Sequence, residues 1–164
     1  MFLYIDAVSK IPFLQNREDY FYLNYLEKFE YLKFPANSII LRKNSRPDEV
    51  FFILKGSILN TTSSKIFRCG TMIGETDLYF KRERVEEYRT MTKVLVLKLK
   101  NSDFQSILNS FEDIKEDIAE NCRKQRENET HKTLIIKYAL KSSLNSNHAD
   151  PQTNLSLIRR KIGK

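Results

Sequence analysis

Cysteine and histidine are too scarce here to build a metal centre. The chain has two of each, Cys69, Cys122, His131 and His148, and their separations match no zinc site, iron–sulfur run or dithiol redox motif. Both thiols read as reduced and partly buried. Glycine is scarce too, with only Gly56, Gly70, Gly74 and Gly163, which leaves no glycine-rich phosphate loop. Long apolar runs are absent. The longest resemble Val50 to Leu54 and Val94 to Leu97, against the roughly 20 residues of a membrane span. The opening MFLYIDAVSK carries Asp6 and no basic lead, so it does not read as a secretory signal. These absences lead us to expect a cytoplasmic protein with no membrane insertion. No activated nucleophile, metal cluster or acid and base pair is visible, so no enzyme is expected.

At 164 residues, with 41% hydrophobic and 30% charged composition, the chain is long enough for one globular domain and an appended segment. Its net charge of +7 is unevenly placed, since residues 120–164 hold 10 basic and 4 acidic side chains and so 6 of the 7 net charges. That asymmetry points to an acidic or nucleic-acid partner at the C-terminal end, or to a solvated basic helix face.

Periodicity divides the chain into three zones. Ser9 to Phe13 reads as a helical turn, and Arg17 to Phe29 as an amphipathic helix with Tyr20, Leu23, Tyr25 and Leu26 on its apolar side. Between Tyr31 and Leu99, short β-branched and aromatic segments alternate with breakers such as Pro35-Ala36-Asn37, Gly56 and Gly70, which argues for an antiparallel sandwich or barrel. After Leu99 the pattern is helical again. Ser102 to Asn109 presents Phe104, Ile107 and Leu108, and both its start and that of the next helix resemble capping boxes. Glu112 to Glu129 carries a stripe of Ile114, Ile118 and Cys122, suited to a seam against a partner's helix or its own barrel. A third helical pattern runs from Lys132 to Leu144. Asn145 to Gln152 reads as a linker, and Thr153 to Lys164 as the start of a basic helix.

Most of the site chemistry falls in MIGETDLYFKRERVEEYR, Met72 to Arg89. Gly74 lets backbone approach a ligand, Glu75 offers a carboxylate to hydroxyls, and Arg84 supplies a planar cation suited to phosphate. Taken alone, the three are equally a turn glycine, a solvated glutamate and a surface arginine. In their context, between KFPANSIILRKNSRPDEVFFILKGSI and the strand-like segment ending at Leu99, the stretch resembles the cyclic-nucleotide-binding superfamily from about Ser9 to Glu129. The resemblance implies an α+β, mainly β fold, a jelly-roll barrel of about eight strands with a phosphate-binding cassette between the sixth and seventh, flanked by an N-terminal helix and C-terminal helices. It also implies a ligand site of Gly74, Glu75, Thr76, Arg84 and Val85, a cyclic nucleotide as ligand, and no cofactor or metal. The helix from Glu112 would close over the base and form a dimer seam through Ile114, Ile118 and Cys122.

The sequence departs from that pattern after the arginine, where the family has small residues and this chain has Val85, Glu86 and Glu87. Val85 removes a hydroxyl donor. Glu86 brings a negative charge towards an anionic ligand, and like charges about 5 Å apart repel by about 1 to 3 kcal/mol at intermediate dielectric. Alternatively, Arg82, Glu83, Glu86 and Glu87 would form a salt-bridge patch around Arg84.

Within the superfamily the chain is most similar to the effector domain of Crp/Fnr-type transcription regulators. The expected organisation is a barrel domain over 1–111, dimerisation and hinge helices over 112–144, and a linker and basic tail over 145–164 as the start of a helix-turn-helix. A winged helix-turn-helix needs on the order of 60 residues, so DNA binding is expected only if such a domain lies beyond this chain. The alternatives are a regulatory module of an ion channel or protein kinase, and a ligand-free homodimerisation domain.

Overall fold

The computed structural model describes Ile11 and residues 14–146. The expected turn at Ser9 to Phe13 and the basic tail therefore fall almost wholly outside the described residues. The chain divides into two compact units, residues 1–123 and 124–164.

The first unit is an eight-stranded antiparallel barrel made of two sheets. Helix α1 (Asp19–Tyr25) and a 3-10 turn (Leu26–Lys28) lead into β1 (Glu30–Phe34), β2 (Ile39–Leu41), β3 (Glu49–Lys55), β4 (Ser57–Asn60), β5 (Ile66–Arg68) and β6 (Met72–Ile73). The short helix α2 (Glu75–Tyr79) precedes β7 (Tyr88–Thr90) and β8 (Val94–Lys100), and helices α3 (Asn101–Ser110) and α4 (Glu112–Ser146) follow. One sheet has the order β1-β8-β3-β6 and the other β2-β7-β4-β5. The expected α+β, mainly β jelly-roll is thus the observed fold, with α2 between the sixth and seventh strands.

β3 and β8 are the pivot of the packing. Their near-continuous apolar sequences suit strands buried on both faces. One face sends Phe51, Ile53, Val94 and Val96 between the sheets, with Leu41, Ile58, Phe67, Ile73 and Tyr88. The other face, Val50, Phe52, Leu97 and Leu99, is covered by Phe21, Phe104, Ile107, Leu108, Ile114, Ile118 and Cys122 from the helices. The helices therefore belong to the same core as the barrel.

Four expectations are corrected here. The helix expected from Arg17 to Phe29 is shorter, and its buried side chains are Phe21 and Tyr25, while Tyr20 and Leu23 lie exposed. The capping box at Ser102 is not used, since Lys100 occupies the N-cap and makes no side-chain cap bond. The two helical patterns after Glu112 form one 35-residue helix. Within it, Ile114, Ile118 and Cys122 are fully buried in the barrel's own core, so they are not a seam for a partner, because the outer face of β3 and β8 needs that apolar stripe as cover.

The second unit is described as the remainder of α4, residues 124–146. Leu134, Ile135, Ile136, Tyr138, Leu140 and Leu144 are all exposed on it. No helix among the described residues is long and apolar enough to cross a membrane.

Candidate functional site

The cassette is built around a backbone that only glycine can adopt. β6 ends at Ile73, and Gly74 turns into α2 at φ +90°. A Cβ there would lie 2.8 Å from Arg84 Nη1 and 3.0 Å from Leu41 Cδ1, so a side chain is excluded by sterics as well as by the left-handed conformation.

The side chain that fills this space is Arg84, which is only 1% exposed. Its Nη2 donates to the Glu49 carbonyl at 2.7 Å and its Nη1 to the Gly74 carbonyl at 3.3 Å. The Arg84 amide donates to the Ser45 carbonyl at 2.9 Å, and its own carbonyl accepts from the Asn44 amide at 2.7 Å. Arg84 thus ties the cassette to the start of β3 and to the preceding turn. Burial lowers the guanidinium's proton affinity from its ordinary value, and the nearby Glu49 and Asp77 carboxylates oppose that effect.

The acids around Arg84 have partners of their own. Asp77, also buried, accepts from Arg82 Nε at 2.8 Å. Burial raises its pKa above the usual carboxylate value, and the Arg82 bond and charge offset part of that rise. Glu86 accepts from the Tyr88 hydroxyl at 2.9 Å; burial first, and the Glu86 charge second, hold that phenol in its neutral form. Glu87 pairs with Arg89 at 3.5 Å. The salt-bridge patch expected around Arg84 is therefore divided among Arg82, Tyr88 and Arg89, while Arg84 itself bonds carbonyls.

Of the residues expected to hold a ligand, the structure brings Gly74 and Arg84 into contact, buries Glu75 and Thr76 at 4% and 7% exposure, and leaves Val85 at the surface. The Cys122 thiol hydrogen-bonds Thr76 and is pushed by burial up to about 12, which links the cassette to α4. Asp77, Tyr88 and the Thr76–Cys122 contact had no sequence signal beyond their types; only folding brings them together. Among the described residues no group of three or more histidines, cysteines and carboxylates could hold a metal ion.

A jelly-roll with a glycine-led helix and a buried arginine between the sixth and seventh strands defines a cyclic-nucleotide-binding type of domain. Residues 31–111 match the family model of the cyclic nucleotide-binding domain, and the chain belongs to the cyclic-nucleotide-binding superfamily. The fold is similar to the regulatory subunit of a cAMP-independent protein kinase A from Trypanosoma brucei, with TM-score 0.65, 21% identity and coverage of 80% of this chain and 50% of that one. This chain thus spans half of that subunit's length. It is also similar to PKAR CBD2 with Sp-2Cl-cAMPS bound, with TM-score 0.64, 21% identity and coverage of 74% and 86%. A mutant of the Trypanosoma brucei subunit with cAMP bound in its A site aligns equally well, with TM-score 0.65, 21% identity and the same 80% and 50% coverage. No curated protein matches the chain in sequence.

Proposed function

We propose that this chain is the regulatory effector domain of a Crp/Fnr-type transcription regulator whose cassette has become a structural clamp and binds cyclic nucleotides weakly. The observation that carries the reading is Arg84, buried with both terminal nitrogens on the Glu49 and Gly74 carbonyls. A phosphate would have to compete with those two acceptors for a guanidinium already shut away from solvent, and it would meet Val85 in place of a hydroxyl and Glu86 nearby. The residue set Gly74, Glu75, Thr76, Arg84 and Val85 therefore fits a cyclic phosphodiester poorly.

A comparison within the family supports this. The cAMP-bound Trypanosoma brucei mutant carries three changes: glutamate to alanine, threonine to arginine seven residues later, and valine to alanine at the next position. At the same spacing this chain has Asp77, Arg84 and Val85. It thus keeps the arginine but has an acid and a valine where the mutant has alanines.

The transcription-regulator part rests on α4, which carries exposed apolar residues along 134–144, and on the basic charge of the C-terminal segment. In this reading the molecule is cytoplasmic and non-catalytic, and homodimerises through Ile136, Leu140 and Leu144, spaced four apart on α4. It contacts DNA only through a complete helix-turn-helix. Kinase regulatory subunits share the fold at 21% identity.

The test is calorimetric titration with cyclic AMP and cyclic GMP. The wild-type chain should give no micromolar binding, and the Asp77→Ala/Val85→Ala double variant should gain it. Micromolar binding by the wild type that is lost in a folded Arg84→Ala variant would overturn the clamp reading and make the cassette a live cyclic-nucleotide sensor.

A further inference from the structure

The outer face of the β1-β8-β3 sheet is not wholly covered by helices. Over Leu97 and Leu99 the helices form the second core cluster, but Leu95, on the same face of β8, floors a cleft of about 360 Å³ whose other lining residues are Lys33, Lys55 and Lys93. All but one of the lining residues carry a positive charge. The register explains the gathering. Lys33 on β1 and Lys55 on β3 are both partners of Leu95, one from each side, which puts their backbones two strand spacings apart, about 9 to 10 Å. That spacing is within the combined reach of two extended lysine side chains.

Lys93 is brought in by a tight turn. Gly56, which follows Lys55, has φ +90°, and a Cβ on it would lie 2.6 Å from the Lys93 carbonyl oxygen. The Ser57 amide donates to Thr92 Oγ1 at 3.1 Å, and the Met91 amide to the Ser57 carbonyl at 2.9 Å. The backbones that carry Lys55 and Lys93 are therefore held against each other before any ligand arrives.

Among the described residues the three cations have no carboxylate partner within ion-pair distance, although Lys33 Nζ lies 5.9 Å from the centroid of the Tyr31 ring. Lys98, further along β8, is by contrast paired with Glu30 on β1. The sequence around the cleft, residues 31–36, 54–60 and 91–97, contains no acid at all. Clustered like charges repel, and an anion placed among them relieves that repulsion. Lysine ammonium groups are point charges with three donors each, suited to phosphate oxygens from several directions. A cleft of this volume falls in the range of small-molecule sites.

We propose that this cleft binds a small multivalent phosphate anion of the pyrophosphate class, at a place separate from the cassette. The site lies on the opposite face of the sheet from the inter-sheet core and shares no lining residue with the cassette. Its occupant is the pyrophosphate group itself, free or as part of a small phosphorylated metabolite. Titration with inorganic pyrophosphate, then with a nucleoside diphosphate, separates those two sources.

The experiment uses the full chain at low ionic strength, with inorganic pyrophosphate as the probe and sulfate and orthophosphate as controls at matched ionic strength. Pyrophosphate should bind saturably and in preference to both controls. Lys55→Gln should weaken it by about tenfold, as expected for one charge-assisted contact, and the Lys33→Gln/Lys55→Gln/Lys93→Gln variant should abolish it. These surface substitutions leave both core clusters untouched, and far-ultraviolet circular dichroism checks that the fold is kept. Arg84→Ala, if folded, should bind pyrophosphate like the wild type. Equal responses to all three anions, an unaltered affinity in the triple-lysine variant, or binding of duplex DNA through these lysines without any pyrophosphate binding would each overturn the proposal.

Discussion

Arg84 and Asp77 are both buried, and burial pushes each towards its neutral form. Arg84 donates to two carbonyls and is supported by the Glu49 and Asp77 charges, while Asp77 is raised above the usual carboxylate value, with Arg82 offsetting part of the effect. A carboxyl whose folded pKa is raised contributes stability below its unfolded pKa and loses it as pH rises through the folded pKa. The stability of the wild type relative to Asp77→Asn should therefore increase as pH falls from neutrality towards the ordinary carboxylate range, as measured by urea unfolding at a series of pH values. A relative stability that decreased on acidification would mean that the Arg82 pair dominates. The two cysteines make a simpler contrast. Cys69 is exposed, whereas Cys122 is buried and held up at about 12 by that burial, with the Thr76 bond opposing the rise. Thiolate is the reactive form, so a thiol reagent at neutral pH should label one cysteine quickly in the native chain and both after denaturation.

At the scale of elements, α4 has two different jobs along its length. Ile118 is fully buried against the barrel and Ile136 is 58% exposed, although both are isoleucines in one helix. Ile118→Ala should cost about 2 to 5 kcal/mol of folding stability through lost contacts and a cavity. Ile136→Ala should leave the denaturant midpoint at low protein concentration within about 0.5 kcal/mol of wild type, and should instead weaken self-association in sedimentation experiments. A wild type that stays monomeric at high concentration would sink the dimer. The stripe Ile114, Ile118 and Cys122 was legible from its spacing of four, and so was its need for an apolar surface. Which surface it meets was not, because a narrow apolar stripe suits a partner helix and a barrel equally well. The open outer face of β3 and β8 decides the matter in favour of the barrel. α1 is a similar case. Tyr20, Tyr22 and Leu23 obey helical spacing as well as Phe21 and Tyr25 do, and the Phe111 ring, 5.1 Å from Phe21 and 5.7 Å from Tyr25, selects the buried face.

For the molecule as a whole, both core clusters lie within residues 11–122, inside the first compact unit. A chain ending at Arg123 should therefore unfold in one cooperative transition close to that of the full chain, while losing self-association and most of the excess positive charge; a truncated chain without a cooperative melt would show that the barrel depends on residues beyond 123. The overall architecture was open to reading from the sequence because each strand is short, apolar on a period of two or on both faces, and closed by a breaker, and because Gly74 occupies the one backbone position in the cassette that admits no side chain. Local sterics and hydrophobic periodicity act over a few residues, so the order of elements, the cassette's place between two strands and the identity of its arginine were determined by the sequence itself. What Arg84 touches, which carboxylate each cation serves, where the α4 stripe docks and how Lys33, Lys55 and Lys93 come to share one cleft were decided only by the tertiary structure. Those contacts join residues tens of positions apart, and the strand register and the competition among several equally suitable partners set them once the chain has closed.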